Sequence, residues 1–450
     1  MVLGEWLMPG EPAPVYPDWF TSSVKAIYDP AKQGMTNYDV IEAYVEDFTT
    51  WNYLSSRGSA TVTKNKIIIT KSFSNTQNII EDNKSPYDDI KIYVTGISED
   101  NPLTINQYVD NKWVRLHTYT TDGIYIVKNR NLYVGFGTYI TDDCNITITQ
   151  LPTSILKDLS GNGNHAYLYG GKGKLNSGMG VYKFDFLSDL RINSAYIPYC
   201  DRQEDKICSL IEHPAGWLFQ FISLSDIPAF KVEVKGIVND RFVYRYYDEN
   251  GNRGKEIIIN KDGIYELPIS YSVENNTGVG IVCSDACVDN VCFTQIPDYP
   301  NQLCYDGKMY AVCYDFPILT DYTVMADRTW FDKMNRACFL SKITTSETGA
   351  FGFEFYNEYN KDTTYSFGRV NDVEQFKDGI TWQITNSYNG IVKLDYIVNG
   401  KDNAELYIGK LRPTEHSGYV GCHGKIIIAD RSFTEEEIDW IKENIYNIEI

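Results

Sequence analysis

The strongest constraint on the fold of this chain is a repeat. KIYVTGI begins at Lys91 and KVEVKGI at Lys231, while DGIY begins at Asp122 and again at Asp262, so both matches lie 140 residues apart. NITITQLP from Asn145 and NVCFTQIP from Asn290 make a third match at a spacing of 145, and the five extra residues fall in the loop SVENNTG around Asn275. Matches at one spacing indicate duplication. Because each matched segment alternates with a period of two, each copy is predicted to be a small β-sandwich module, spanning residues 46–152 and 187–300.

The rest of the chain also reads as short β-branched or alternating runs, such as ATVTKNKIIIT, TWQIT and GKIIIAD, separated by Gly, Asn and Asp turns. The exception is TEEEIDWIKENIY near the end. There Thr434 is placed to cap a helix, Glu437 stands three residues on as its capping-box partner, and Ile438, Ile441 and Ile445 share one face. At 450 residues the chain exceeds what a single core supports. LKDLSGNGNHAYLYG lies between the two copies and a further β-rich stretch follows them, so the modules read as insertions into a third, discontinuous domain.

Charge limits the partners. With 41 basic against 60 acidic residues the net charge is −19, which repels phosphate backbones and anionic lipid surfaces, so neither nucleic acid nor membrane is expected. No apolar run reaches the roughly 18 residues a membrane-spanning helix needs. MVLGEWLMPGEPAPVYPDWF lacks the basic start and apolar centre of a secretory signal. Its prolines exclude a helix or strand of any length, while Trp6, Leu7, Trp19 and Phe20 make it too apolar for an inert tail. Residues 1–23 therefore read as a docking arm, applied either to the chain's own domain or to a partner. The ten unevenly spaced cysteines suggest reduced thiols, mostly as small core residues.

No segment has the pattern of a catalytic site. Glu437, Asp439 and Glu443 come nearest to the Glu-x-Asp-x-x-Glu strand of some glucanases, but the spacing is one residue too long and the segment is helical, so the side chains diverge. Cys283, Cys287 and Cys292 invite a zinc reading, yet no fourth ligand is evident nearby and core thiols are the simpler expectation. Asp142 with Asp143, or Asp285 with Asp289, offer carboxylates to calcium without a dense oxygen-ligand pattern. His117, His165, His213, His416 and His423 form no triad. Trp330, Tyr356, Tyr365, Trp382 and Tyr388 are candidate sugar platforms, though aromatic strands ordinarily form core. No catalytic, cofactor-binding or metal-binding residue is nominated, and no enzyme or cofactor is expected.

The segment KDLSGNGNHAYLYG, with Asp158, Ser160, Gly161, Asn162, Gly163, Asn164 and His165, resembles the opening turn and strand of concanavalin A-like (laminin-G-like) lectin/glucanase domains. GYVGCHGKIIIADRSFTEEEIDWIKENI, from Gly418 to Ile445, resembles their closing strand and short acidic helix. Together with YDPAKQGMTN, from Tyr28 to Asn37, these segments are similar to lectin-fold virion structural proteins of crAss-like bacteriophages. The resemblance implies an all-β fold: a discontinuous concanavalin A-like jelly-roll sandwich over 24–45, 153–186 and 301–450, two inserted duplicated modules, and a short C-terminal helix. It implies a non-enzymatic head-fibre or tail-fibre subunit, assembled in the bacterial cytoplasm and located in the virion. Its expected partners are other virion proteins and further copies of itself, a trimer being favoured over a dimer. A host surface glycan is the alternative partner, and a glycan-cleaving tail enzyme the weakest reading.

Overall fold

The computed structural model describes residues 16–33, 40–41, 44, 46–73, 78–82, 89–127, 133–139, 142–170, 172–175, 186, 199–203, 205–222, 226–271, 278–317, 319, 322–332, 338–341, 354–357, 364–366, 370–372, 381–386, 403–410 and 418–446. It is an all-β protein of antiparallel sheets with a short C-terminal helix.

Two sheets form the sandwich built from the flanking segments. The first has seven strands, ordered Val40–Ile41, Lys172–Leu175, Leu303–Asp306, Val420–Ala429, Thr323–Asp332 and Thr381–Asn386, with Val24–Tyr28 also paired to Val420–Ala429. The second has eight, running from Ile155–Leu156 through Ala166–Tyr169, Tyr310–Pro317, Asn403–Ile408 and Cys338–Ser341 to Glu354–Asn357, Thr364–Ser366 and Val370–Asp372. Between them lie Tyr28, Leu168, Tyr305, Phe316, Val324, Phe339, Leu406 and Ile426. The strand Val420–Ala429 is buried on both faces, because Phe433 and, from helix α2 (Glu435–Asn444), Ile438 and Ile441 cover the far side. That double burial explains why GKIIIAD is a continuous apolar run and not an alternating one. Helix α2 begins as its sequence predicts: Thr434 and Glu437 form a complete capping box, and Arg431 holds the Glu437 carboxylate in two hydrogen bonds.

Residues 52–150 form a second sandwich. One sheet is ordered Gly123–Val127, Ile90–Thr95, Asp143–Gln150, Lys66–Ser72, Gly58–Val62; the other is Asn52–Tyr53, Asn78–Glu81, Val134–Gly137, Leu103–Val109, Lys112–Tyr119. A third sandwich follows the same plan. Its sheets are Gly263–Leu267, Phe230–Lys235, Cys292–Ile296, Lys206–Ser209, Cys200–Arg202, and Gly216–Gln220, Gly280–Cys283, Phe242–Tyr247, Arg253–Ile259. In both, the DGIY strand lies at the edge, the KIYVT or KVEVK strand second and the NITITQ or NVCFTQ strand third. Each has its own core, around Ile92, Val94, Ile105 and Ile148 in one and around Val232, Val234, Tyr244 and Phe293 in the other.

Two sequence expectations need correction. The arm is not devoid of regular structure: once past Pro17, the proline-free DWFTSS forms the six-residue helix α1 (Asp18–Ser23). Its Phe20 is buried, and Trp19 packs edge-on against Phe433 and Trp440, so these two side chains serve the chain's own fold and are not held out to a partner. Trp6 and Leu7 lie outside the described residues. Nor are all thiols reduced. Cys208 and Cys292 face each other across adjacent strands and are joined by a disulfide, while the other eight cysteines form no disulfide and are mostly buried.

Candidate functional site

The outer face of the eight-stranded sheet carries tyrosines at alternate positions. Along Tyr310–Pro317, Ala311 and Cys313 point into the sandwich while Tyr310, Val312 and Tyr314 point away, and Tyr167, Tyr169 and Tyr407 do the same on neighbouring strands. The outer face of the first module's sheet stands opposite, presenting Tyr93, Thr95, Thr147 and Thr149, whose strand neighbours Ile92, Val94, Ile146 and Ile148 fill the module's core. The two faces meet at Tyr93, Ile124 and Leu151, and beside that contact they leave a cleft of about 350 Å³.

Ring contacts and hydrogen bonds fix the walls. The Tyr93 and Tyr314 rings lie 4.3 Å apart, Tyr169 and Tyr310 stack at 5.5 Å, and the Tyr314 hydroxyl donates to the Tyr169 oxygen at 2.9 Å. The Tyr407 hydroxyl donates to Glu405, and Asn65 donates to the Tyr44 hydroxyl at 3.0 Å. Lys410 lies 4.4 Å from the Tyr310 ring centroid and Lys91 5.0 Å from that of Tyr167, each a cation facing an aromatic quadrupole. Burial pushes the Tyr93, Tyr169, Tyr314 and Tyr407 hydroxyls above the ordinary phenol range and draws Lys91 and Lys410 downward. The tyrosines are therefore neutral near pH 7 and present aromatic surface beside hydroxyls that donate and accept. Such a lining suits a polyhydroxylated ligand. Glu405 is the one carboxylate among the described lining residues, whereas carboxylate-pair glycoside hydrolysis needs two.

The structure disperses the residues that sequence singled out. Glu437 is held in the capping box, Asp439 pairs with Lys442, and neither approaches a cleft partner. Asp143 pairs with Lys71 at the surface. Asp289 accepts from the backbone N–H groups of Asn239, Val238 and Asp240, which hold its carboxyl below the ordinary range and make it a loop cap. His117 stacks on Tyr119, and His165 accepts at Nδ1 from the Asp158 N–H within the SGNGN turn. His423 is buried against the Tyr305 hydroxyl at 2.9 Å, where desolvation draws its pKa down to about 4 and keeps it neutral. Tyr388 and His416 lie outside the described residues, as do the side chains of Trp330, Tyr356, Tyr365 and Trp382.

Sequence reasoning missed Tyr93, Tyr167, Tyr169, Tyr310, Tyr314 and Tyr407. Their signal was the alternation in AYLY and YAVCYDF, which places tyrosines on one face of adjacent strands, but which face another module covers is not written in any single strand.

No protein-family model matches this chain, and no curated protein does. Among solved structures, a Trypanosoma rangeli sialidase in complex with the inhibitor DANA aligns over 93% of this chain and 92% of its own, at 10% identity and a TM-score of 0.20. A likeness that low carries no argument about the fold or activity of this protein.

Proposed function

We propose that this chain is a non-enzymatic structural protein of a bacteriophage particle, a head-fibre or other capsid or tail appendage subunit held by its N-terminal residues. The observation that carries the reading is the convergence of the three segments bearing the phage-protein resemblance. Strand Val24–Tyr28 is their meeting point. Asp158 accepts from the Ile27 N–H, Asn162 and Asn164 donate to the Val24 and Lys25 carbonyls, and the Tyr28 hydroxyl donates to the Asn164 carbonyl. Gln33 and Lys157 exchange hydrogen bonds, and the closing strand pairs with Val24–Tyr28 from Ile426 to Ala429. Segments more than 100 residues apart thus behave as parts of one unit, which supports reading them as a signature and not as unrelated turns. Residues 1–15, with Trp6 and Leu7, precede this strand in sequence and are the proposed anchor; the assembly is proposed to be homo-oligomeric.

Particles assembled with full-length protein and with a variant lacking residues 1–15 test the proposal. Because α1 belongs to the folded sandwich, the truncation stops before it. Loss of the truncated but folded protein from purified virions supports anchoring; equal incorporation of both forms refutes it, and absence of both refutes the virion role itself.

A second reading, a host-glycan adhesin, is favoured by the tyrosine-lined cleft. Tyr310→Ala removes the half-buried ring that borders it beside Lys410. Glycan binding, measured on immobilised host polysaccharide, should weaken about tenfold, or ~1.4 kcal/mol, and no binding by the wild-type protein to any host glycan rejects this reading.

A further inference from the structure

The second module contains a side-chain cluster that neither the cleft nor the proposed anchor uses. A ring nitrogen of His213 and the thiol sulfurs of Cys283 and Cys287 all lie within 4.8 Å of one another, and all three residues are buried. The Cys283 and Cys287 sulfurs are 3.3 Å apart, and the Cys283 sulfur is 3.7 Å from His213 Nδ1. Two loops are held together to make this arrangement: the Cys287 N–H donates to the His213 carbonyl at 2.8 Å, and the Glu212 N–H to the Cys287 carbonyl at 2.8 Å.

The histidine is the second, independent sign. His213 is 1% exposed, its Nδ1 lies 2.8 Å from the Pro214 carbonyl, and its Nε2 is buried with no hydrogen-bond partner. A proton on Nδ1 donated to that carbonyl leaves Nε2 as a bare lone pair in the interior, a costly arrangement for a purely structural histidine.

We propose that His213, Cys283 and Cys287 hold a zinc ion that clips the 210–214 and 284–288 loops together. Thiolate and imidazole are the ligands zinc prefers, and bond lengths of about 2.3 Å to sulfur and 2.0 Å to nitrogen bring ligand atoms to separations of the kind seen here. The thiols give up their protons to solvent as the ion binds, so each forms a thiolate–zinc bond with no change of oxidation state. Cys200 packs against the same core with its thiol donating to the Leu218 carbonyl at 3.5 Å, so it stands outside the proposed ligand set. Cys292, which sequence had grouped with these residues, is excluded by its disulfide to Cys208. At the repeat's own spacings the first module carries Phe73, Thr138 and Asp142 in place of His213, Cys283 and Cys287, so it offers no such set.

The test uses the full-length protein, stripped of metal under reducing conditions, given equimolar zinc and washed. Elemental analysis should find one zinc per chain, and His213→Ala with Cys283→Ser should lower occupancy at least tenfold at equal protein. Cobalt in place of zinc reads the ligands without any variant: tetrahedral thiolate coordination gives an intense charge-transfer band that oxygen ligands do not. Since the variant could unfold, the wild-type cobalt spectrum decides. Absence of that band, or recovery of Cys283 and Cys287 as a disulfide with no bound zinc under the same reducing conditions, overturns the proposal.

Discussion

The two inserted modules have the same strand order and opposite uses for the same face. In the first, the outer face of the sheet carries Tyr93 and Ile124 and is buried against the tyrosines of the sandwich. In the second, 140 residues on, Tyr93 is replaced by Glu233 and Ile124 by Ile264, which is 66% exposed, while Lys231 pairs with Glu266 and Lys235 with Glu233 at the surface. The alternating core positions remain apolar in both, Ile92 and Val94 matching Val232 and Val234. The two modules thus share what each needs to fold and differ on the outer face. One forms the wall of a cleft, and the other carries a disulfide and a buried Cys/His cluster.

The largest expected effect comes from converting the second module's cross-strand link to the first's. Cys208 and Cys292 occupy the positions of Ile68 and Thr147, which are register partners in the first module as the cysteines are in the second. The disulfide closes 84 residues of chain, and a Cys208→Ile, Cys292→Thr variant should lose about 4.5 kcal/mol in the loop-entropy account. Denaturant unfolding followed by proteolysis should locate the loss within residues 199–300, and an unchanged midpoint would mean that the link does not stabilise this module.

Exchanging the outer-face residues comes next. Tyr93→Glu places a carboxylate among buried rings and should cost about 3 kcal/mol, with faster amide exchange at both Ile90–Thr95 and Tyr310–Pro317. Glu233→Tyr changes a surface position and should move stability by no more than about 0.5 kcal/mol. Equal effects would show that the first module does not rely on its docked face.

Much of this was legible in the sequence because it depends on short-range rules. Period-two alternation marked the strands, the 140-residue spacing marked the duplication, and Thr434 with Glu437 marked the start of α2. The five extra residues of the second copy fall between its second and third strands: register pairs Thr147 with Thr95 in one copy and Cys292 with Lys235 in the other, steps of 145 and 140, while the loop around Asn275 lies outside the described residues. What escaped was pairing between distant segments. Nothing local distinguishes Trp19 packing on Trp440 from Trp19 held out to a partner, nor Cys292 bonded to Cys208 from Cys292 free. His213 stands as an isolated histidine in the sequence because its two cysteines follow 70 and 74 residues later, on the opposite side of a loop contact.

Smaller effects than that of Tyr93→Glu test what the copies share. Gly96 and Gly236 both adopt left-handed backbone, at φ +83° and +98°, and a Cβ on either would meet the carbonyl oxygen of Asn145 or Asn290, at 2.0 and 2.4 Å. Alanine at each should therefore cost about 2 kcal/mol, from the conformation and the backbone collision together. The residue that follows donates its N–H to the aspartate of DGIY: Ile97 to Asp122 at 2.9 Å, Ile237 to Asp262 at 2.8 Å. Replacing either aspartate by alanine removes one charge-assisted hydrogen bond at a partly exposed turn and should cost about 1 kcal/mol. Thermal unfolding of the four single variants checks both pairs. If Gly96 and Gly236, or Asp122 and Asp262, differ by more than about 1 kcal/mol between copies, the shared motif no longer carries a shared structural role. If they agree while Tyr93→Glu and Glu233→Tyr diverge, the common fold resides in the turn and the core, and the docking of one copy resides in its outer face alone.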